Sequence, residues 1–411
     1  MGGAAKHMRH IWENLDFSFN DIVDIMLSLS NGVIRPYEKV DGINMFVGVD
    51  VDGNVKFARS PTQIIARGKT LETIKKEFEG HPAEVQFVEG CKAIYNFIMA
   101  NEWNILGITP SVWLNCEIIY SESPQLLKYD ENSIVFHGVK RFKVDHGKLQ
   151  ELDASIYIDN FIEFCDNIGG QVINDWTAMG PIEAEINKYF ECDDVIDALE
   201  DLLVKYELNF DNTLRDFLYK VLLEDGGAVG SLPISLKRKE KLAEKICDIE
   251  NHRLVDIKKG LSAGIGKVVS SVGAKKEEKK IRNDSMKEIK NILNHFYFKL
   301  MKDCHSQLTN TPLEKRDNLL TELKDATNLI YSTNDGFRRQ RVILYNKHSD
   351  ALQNQEFPYI EGIVFLYNGH QLKLTGAFAS INQVLGLLRY GRGKIPKIGE
   401  NNINPSLYTR L

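Results

Sequence analysis

The sequence predicts an α/β (α+β) protein, a domain of antiparallel sheets with helices that is interrupted by a large helical insertion. Three observations lead there. Apolar residues alternate at Met45, Val47 and Val49 beside an Asp52-Gly53 turn signal. Strand-like runs return at 360–366 and 370–375 around Asn368-Gly369. Between these ends, 155–350 carries mostly helical spacing.

Taken in order, 14–30 reads as a helix capped by Ser18 or Asn20, with Ile22, Ile25, Met26 and Leu29 on one face and Gly32 as its stop. Strands follow over 37–59. Residues 70–79 and 84–100 read as helices, and 111–120 and 133–143 as strands. Helical spacing then covers 181–207, 211–224, 235–260, 284–306 and 313–331. The segment 261–281 is rich in Gly and Ser and then strongly charged, which reads as a linker or mobile arm, with a basic surface helix as the alternative. Three parts result: 1–150 as the first part of the α/β domain, 151–350 as the helical insertion, and 351–411 as the second part with a basic tail.

Composition narrows the function. A net charge of −6 argues against a protein that coats nucleic acid through its overall charge, so any such contact is a local patch. The six cysteines lie far apart with no zinc-ligand spacing, which points to buried thiols in a reducing compartment. No run approaches the roughly 18 apolar residues of a membrane span. The N-terminus carries Lys6, Arg9 and Glu13 without an apolar core, unlike a secretory signal. The expected location is the cytoplasm, that of the host for a viral protein.

One segment carries chemistry. A lysine forms a phosphoramidate with a nucleotide when its amine is neutral and close to the α-phosphate, and burial is one way to lower a lysine pKa. Lys39-Val40-Asp41-Gly42 places a lysine just before a strong strand, with a glycine that leaves room for close approach. Downstream come Arg59 across the hairpin, Glu117 in Leu114-Asn115-Cys116-Glu117-Ile118-Ile119, and Phe136 in Ser133-Ile134-Val135-Phe136. Glu361 follows in Ile360-Glu361-Gly362-Ile363-Val364, and Lys373 in Leu372-Lys373-Leu374.

In this order the motifs resemble the covalent nucleotidyltransferase superfamily of ATP-dependent DNA ligases, RNA ligases and mRNA-capping enzymes. The resemblance covers 37–143 and 357–376 and implies a nucleotidyltransferase (ligase) domain. It makes Lys39 the adenylated nucleophile. Asp41 and Gly42 complete its motif, and Arg59 holds a phosphate or the ribose side. Glu117 accepts from a ribose hydroxyl, and Phe136 stacks on adenine while His137 turns to the surface. Glu361 binds a divalent ion, magnesium or manganese, and Lys373 neutralises charge on the α-phosphate. The block Glu38-Lys39-x-x-Gly42-x-Asn44 is similar to the T4 RNA ligase 2-like group, which implies that Glu38 tunes the amine and Asn44 serves the nucleic-acid step. The arrangement also resembles ligase-like proteins of large tailed bacteriophages.

Three departures stand out. Thr375 occupies the place of a usual second lysine, the interval from Phe136 to Glu361 is long, and the chain after Thr375 is too short for an OB-fold. Candidate clusters for contacting nucleic acid in its place are Lys237, Arg238 and Lys239, then Lys275, Lys276, Lys279 and Lys280. The tail with Arg389, Arg392, Lys394 and Lys397 is the better such candidate, because Gly391 and Gly393 let backbone approach phosphates. The expected function is an ATP-dependent RNA ligase that seals 3′-hydroxyl and 5′-phosphate ends of a nick or break through lysyl-AMP. The alternatives are an ATP-dependent DNA ligase and a catalytically degenerate ligase-like binding or virion protein.

Overall fold

The computed structural model describes residues 8–81, 83–101, 109–122, 129–187, 190–248, 254–265, 270–301, 308 and 360–376. The expected helix at 313–331 and the basic tail with Arg389, Arg392, Lys394 and Lys397 lie outside the described residues.

The chain opens with strand β1 (Arg9–His10), a single 3-10 turn (Ile11–Glu13) and helix α1 (Phe19–Ser30). Ser18 caps α1 through a reciprocal pair: its hydroxyl accepts from the Asp21 backbone N–H, and the Asp21 carboxylate accepts from the Ser18 N–H. Strands β2 (Tyr37–Lys39), β3 (Ile43–Val49) and β4 (Val55–Ala58) follow, then α2 (Pro61–Ile65), α3 (Leu71–Phe78) and α4 (Glu84–Ala100). Strands β5 (Val112–Ile119), β6 (Asn132–Asp145) and β7 (Lys148–Leu152) lead into α5 (Ile158–Ile168), β8 (Val172–Ile173) and β9 (Trp176–Met179). The helical segment is α6 (Asp193–Lys205), α7 (Leu214–Leu223), α8 (Leu236–Cys247), α9 (Leu254–Ile265), α10 (Ser271–Ser285) and α11 (Lys287–Leu300). Strands β10 (Gly362–Tyr367) and β11 (His370–Leu374) close the described chain.

The strands form two sheets. One has seven strands, in the order β4-β3-β5-β6-β9-β8 with β7 on β6. The other has the order β1-β11-β10-β2. The mixed α+β class expected from sequence is present. The tight turn at Asn368 (φ 47°) and Gly369 (φ 78°) joins β10 to β11, as its Asn-Gly sequence demands.

Each sheet covers its own core. Met45, Val47, Leu114, Cys116, Ile134 and Phe136 face α4 and α5 from the large sheet. Ile363, Phe365, Leu372 and Leu374 face α1 and the helical segment from the small one. Each such buried side chain contributes roughly 1.5–3 kcal/mol of transfer free energy. Tyr367 ties β10 to α1, its hydroxyl donating to Asp21 (3.1 Å) and Asp24 (2.9 Å).

Two expectations change. The helix expected from 181 begins only at Asp193. Before it the chain runs alongside β2: Glu38 N–H donates to Ile182 O (2.8 Å) and Ala184 N–H to Pro36 O (2.9 Å). Those bonds occupy an edge of β2 that would otherwise stay unpaired. The 261–281 segment is helical wherever it is described, in α9 and α10, so the surface-helix alternative prevails over the linker. In α10 Lys275, Lys276, Lys279 and Lys280 are exposed while Ala274, Glu278 and Ile281 are buried, which is the one-sided pattern of a packed helix.

Candidate active site

Lys39 is the last residue of β2, where the chain leaves the small sheet for the large one. Val40, Ile119, Tyr129, Val135 and Ile182 form an apolar floor at that crossing. The register of β2 on β10 sets Lys39 opposite Gly362, so the neighbouring Glu361 reaches the lysine and pairs with its amine. The Lys39 side chain keeps 28% of its exposure and Glu361 18%, so a ligand can still enter.

Gly42 sits against β5. A Cβ there would lie 2.5 Å from Cγ of Glu117 and 2.8 Å from the Ile118 carbonyl, so only glycine fits. The close approach lets the Gly42 N–H donate to the Glu117 carboxylate. The glycine is thus required by the protein's own packing, where the sequence reading assigned it to nucleotide approach. Asn44 pairs in register with Glu117, bonds its side chain, and donates to Asn115 Oδ1 at 2.7 Å. Asp41 is buried, and its backbone N–H donates to the Tyr129 hydroxyl at 2.7 Å.

The charge state of Lys39 departs from expectation. Burial pulls its pKa down, but Glu361, Glu117 and Asp41 outweigh burial and raise it above lysine's ordinary value. Without a ligand the amine is therefore protonated at neutral pH, and becoming a nucleophile requires something that draws the carboxylates away. A divalent cation does this by taking a carboxylate as ligand. Among the described residues no three His, Cys, Asp or Glu side chains form a preset metal cage. Magnesium suits such a site, because it is commonly held by one or two carboxylates plus substrate phosphate and water. Glu361 is placed for this, and Glu117 is a second carboxylate whose charge acts on the amine.

Burial pushes Glu117 up to about 7, with Glu361 adding to the rise and Lys39 opposing it. The ordinary value is 4.5, so between there and about 7 the folded protein holds a proton that the unfolded chain has lost. Stability therefore falls as pH rises through that window, and the penalty is complete above it. Glu117→Gln should remove this loss. Unfolding free energies of both proteins at the two ends of the window test it, and an unchanged pH slope in the variant would contradict the assignment.

Lys373, buried on β11, lies two residues further along β10, opposite Val364, and so on the same face as Lys39. Burial and the charge of Lys39 both lower its pKa. Thr375 follows the pair Ile363–Leu374 and packs against Gly362, across which lies Lys39. A second lysine there would point at the nucleophile's row, and threonine leaves that charge out.

Two expected residues sit elsewhere, and a third stacks on a helix beside the site. Glu38 pairs with Ile363, which faces the helical core, so β-alternation turns it to the opposite side of β2 from Lys39. Arg59 lies with its guanidinium over the Phe87 ring of α4, 4.6 Å from the centroid, and the site carboxylate that acts on it is Glu117. Phe136 is fully buried, edge-on to Phe164 at 5.3 Å, and no adenine can stack on it.

Phe136 pairs with Cys116 and shares the core face with Ile134, so alternation turns it from Glu117, and its neighbour His137 takes the site side at a β-bulge. Gly138 pairs with Asn115 and Phe136 with Cys116, so His137 is the extra residue between them. Its ring turns to the Glu117 face, with Nε2 3.8 Å from the Glu117 carboxylate. Burial, aided by Lys39, depresses His137 to about 4, so the imidazole is neutral near pH 7. A glycine inside a strand pattern, here Gly138, is the signal that marks such bulges.

No helix among the described residues is long and apolar enough to cross a membrane. Comparison of the chain with protein-family models gives no match, and a search of curated proteins gives none either.

Proposed function

We propose that this protein is an ATP-dependent polynucleotide ligase that works through a lysyl-AMP at Lys39. The observation that carries the reading is the arrangement around one amine: Lys39 at the crossing of two sheets, held among Glu361, Glu117 and Asp41, with Lys373 on the same small sheet. A lone structural ion pair needs one carboxylate, whereas a nucleophile that must be switched on by a metal-bound nucleotide suits several.

The chemistry follows from the parts. The divalent ion would bind Glu361 and the α-phosphate and supply Lewis-acid polarisation of that phosphate. Lys39, freed of its ion pair, gives its proton to solvent and attacks phosphorus, forming the P–N bond as the bond to pyrophosphate breaks and pyrophosphate leaves. Lys373 offsets charge on the phosphate oxygens. Glu117 and Asn44 form the polar wall toward the ribose, and the neutral His137 ring beside them offers the flat surface that Phe136 does not. The AMP then passes to a 5′-phosphate, and a 3′-hydroxyl attacks that end and expels AMP. RNA is the preferred polymer in this proposal, from the likeness of Glu38-Lys39-x-x-Gly42-x-Asn44 to RNA ligases, with DNA as the alternative.

A second reading, a ligase-like binding protein without catalysis, draws on Thr375, which leaves the row beside Lys39 one charge short. A sealing assay decides between them. A nicked RNA duplex with a labelled 5′-phosphate at the nick should become alkaline-phosphatase-resistant with ATP and magnesium, and not with Lys39→Arg. Bound but unsealed duplex would favour the second reading.

A further inference from the structure

The helical segment brings a second charged recess against the small sheet. A cleft of about 480 Å³ lies between the turn Ile11–Glu13 and helices α7, α8 and α10. Arg9, Arg215, Lys279 and Arg282 line it together with acidic groups. Two of those acids are already engaged: Arg215 reaches Asp16 at 2.6 Å and Asp248 at 3.7 Å. A third, Glu13, accepts from the His10 backbone N–H at 2.9 Å. Arg215 is committed with Asp16 and Asp248, and Arg282 pairs with Glu278 at 2.7 Å, while Lys279 is an exposed side chain on α10.

The cleft adjoins the lysine site. Arg9 lies on β1, the strand paired with β11, and its neighbour His10 is the register partner of Lys373. In the small sheet β11, which carries Lys373, lies between β1 with Arg9 of the cleft and β10 and β2 with the lysine site, and charges of both recesses (Lys39 and Glu361, Glu13 and Lys279) act on Lys373. Lys373 therefore stands between the two recesses. Beyond the cleft α10 continues the positive track with Lys275, Lys276 and Lys280, all exposed.

We infer that this cleft binds the phosphodiester backbone of a polynucleotide strand, with Lys279 of α10 and Arg9 of β1 as phosphate contacts and Lys373 marking where the strand enters the lysine site. Cationic side chains on a groove wall are the usual partners of phosphate oxygens, and a local track is what an acidic protein needs in order to hold a polyanion. The helical segment then supplies the second face of the nucleic-acid site. The inference rests on the ligase reading for what happens at the strand's end, not for the binding itself.

The test is fluorescence anisotropy with a 5′-phosphorylated, single-stranded oligoribonucleotide and the full chain. Lys279→Glu should weaken binding by about tenfold and reduce the slope of affinity against salt by about one. Lys76→Glu, an exposed lysine of α3 outside the cleft, should bind as wild type. Unchanged binding by Lys279→Glu, equal weakening by both variants, or no binding by the wild type would each overturn the inference. Lysyl-AMP formation is measured separately on the wild type. Lys279-dependent binding without any lysyl-AMP would uphold the cleft and sink the ligase reading.

Discussion

Glu361→Gln should lower lysyl-AMP formation by about 10²- to 10³-fold while making Lys39 more reactive toward a simple amine reagent. Both effects come from one ion pair. In the unliganded protein Glu361 is foremost among the carboxylates that hold Lys39 protonated against the pull of burial. Its removal lets burial act with less opposition, so the Lys39 pKa falls and acetylation without metal accelerates. The same change deletes the carboxylate best placed to hold a divalent ion at the α-phosphate, so the enzymatic step slows. Peptide mapping after brief acetylation, alongside nucleotide-transfer rates, reads both. If acetylation of Lys39 slowed, or nucleotide transfer was unaffected, Glu361 would not be the switch described here.

Gly362→Val should destabilise the protein by more than about 3 kcal/mol, through a backbone clash with no flexible partner to absorb it. A Cβ at this position would lie 2.2 Å from the Leu374 carbonyl oxygen and 2.9 Å from Cα of Thr375. Relief requires β11 to move away from β10, which would also displace Glu361 from Lys39, since Gly362 is the register partner of Lys39. Chemical denaturation would show the loss of stability. A variant folded as firmly as the wild type would contradict the register of β10 on its neighbours. Gly369→Val differs in kind, since a Cβ there meets nothing within 4 Å and its cost is the left-handed backbone at φ 78° alone.

The contrast between these residues shows what could be read from sequence. Turns and caps were legible because their causes are local: Asn368-Gly369 dictates a tight hairpin, and Ser18 with Asp21 closes a helix end. Lys39, Glu117 and Glu361 were legible as a set because each lies in a strand or beside one, and the structure does bring all three together. The side of β6 that meets the site was not legible. The resemblance sets Phe136 against the nucleotide, but Phe136 pairs with Cys116 on the core face, and alternation gives the Glu117 face to its neighbours Val135 and His137. Glu38 was misplaced because adjacency in sequence is not adjacency in a strand, where neighbours point apart. The protonated state of Lys39 was beyond sequence reasoning because it depends on three carboxylates from two sheets. The stretch 181–187 reads as helix from its apolar spacing, but a strand edge competed for its backbone groups and won.

The central claim is that Lys39 carries the nucleotide, and intact-mass analysis after incubation with ATP and magnesium tests it most directly. The account predicts a single AMP adduct on the wild type, located by fragmentation at Lys39, and none on Lys39→Ala. An unmodified folded wild type, or an adduct that persists in Lys39→Ala, would contradict it.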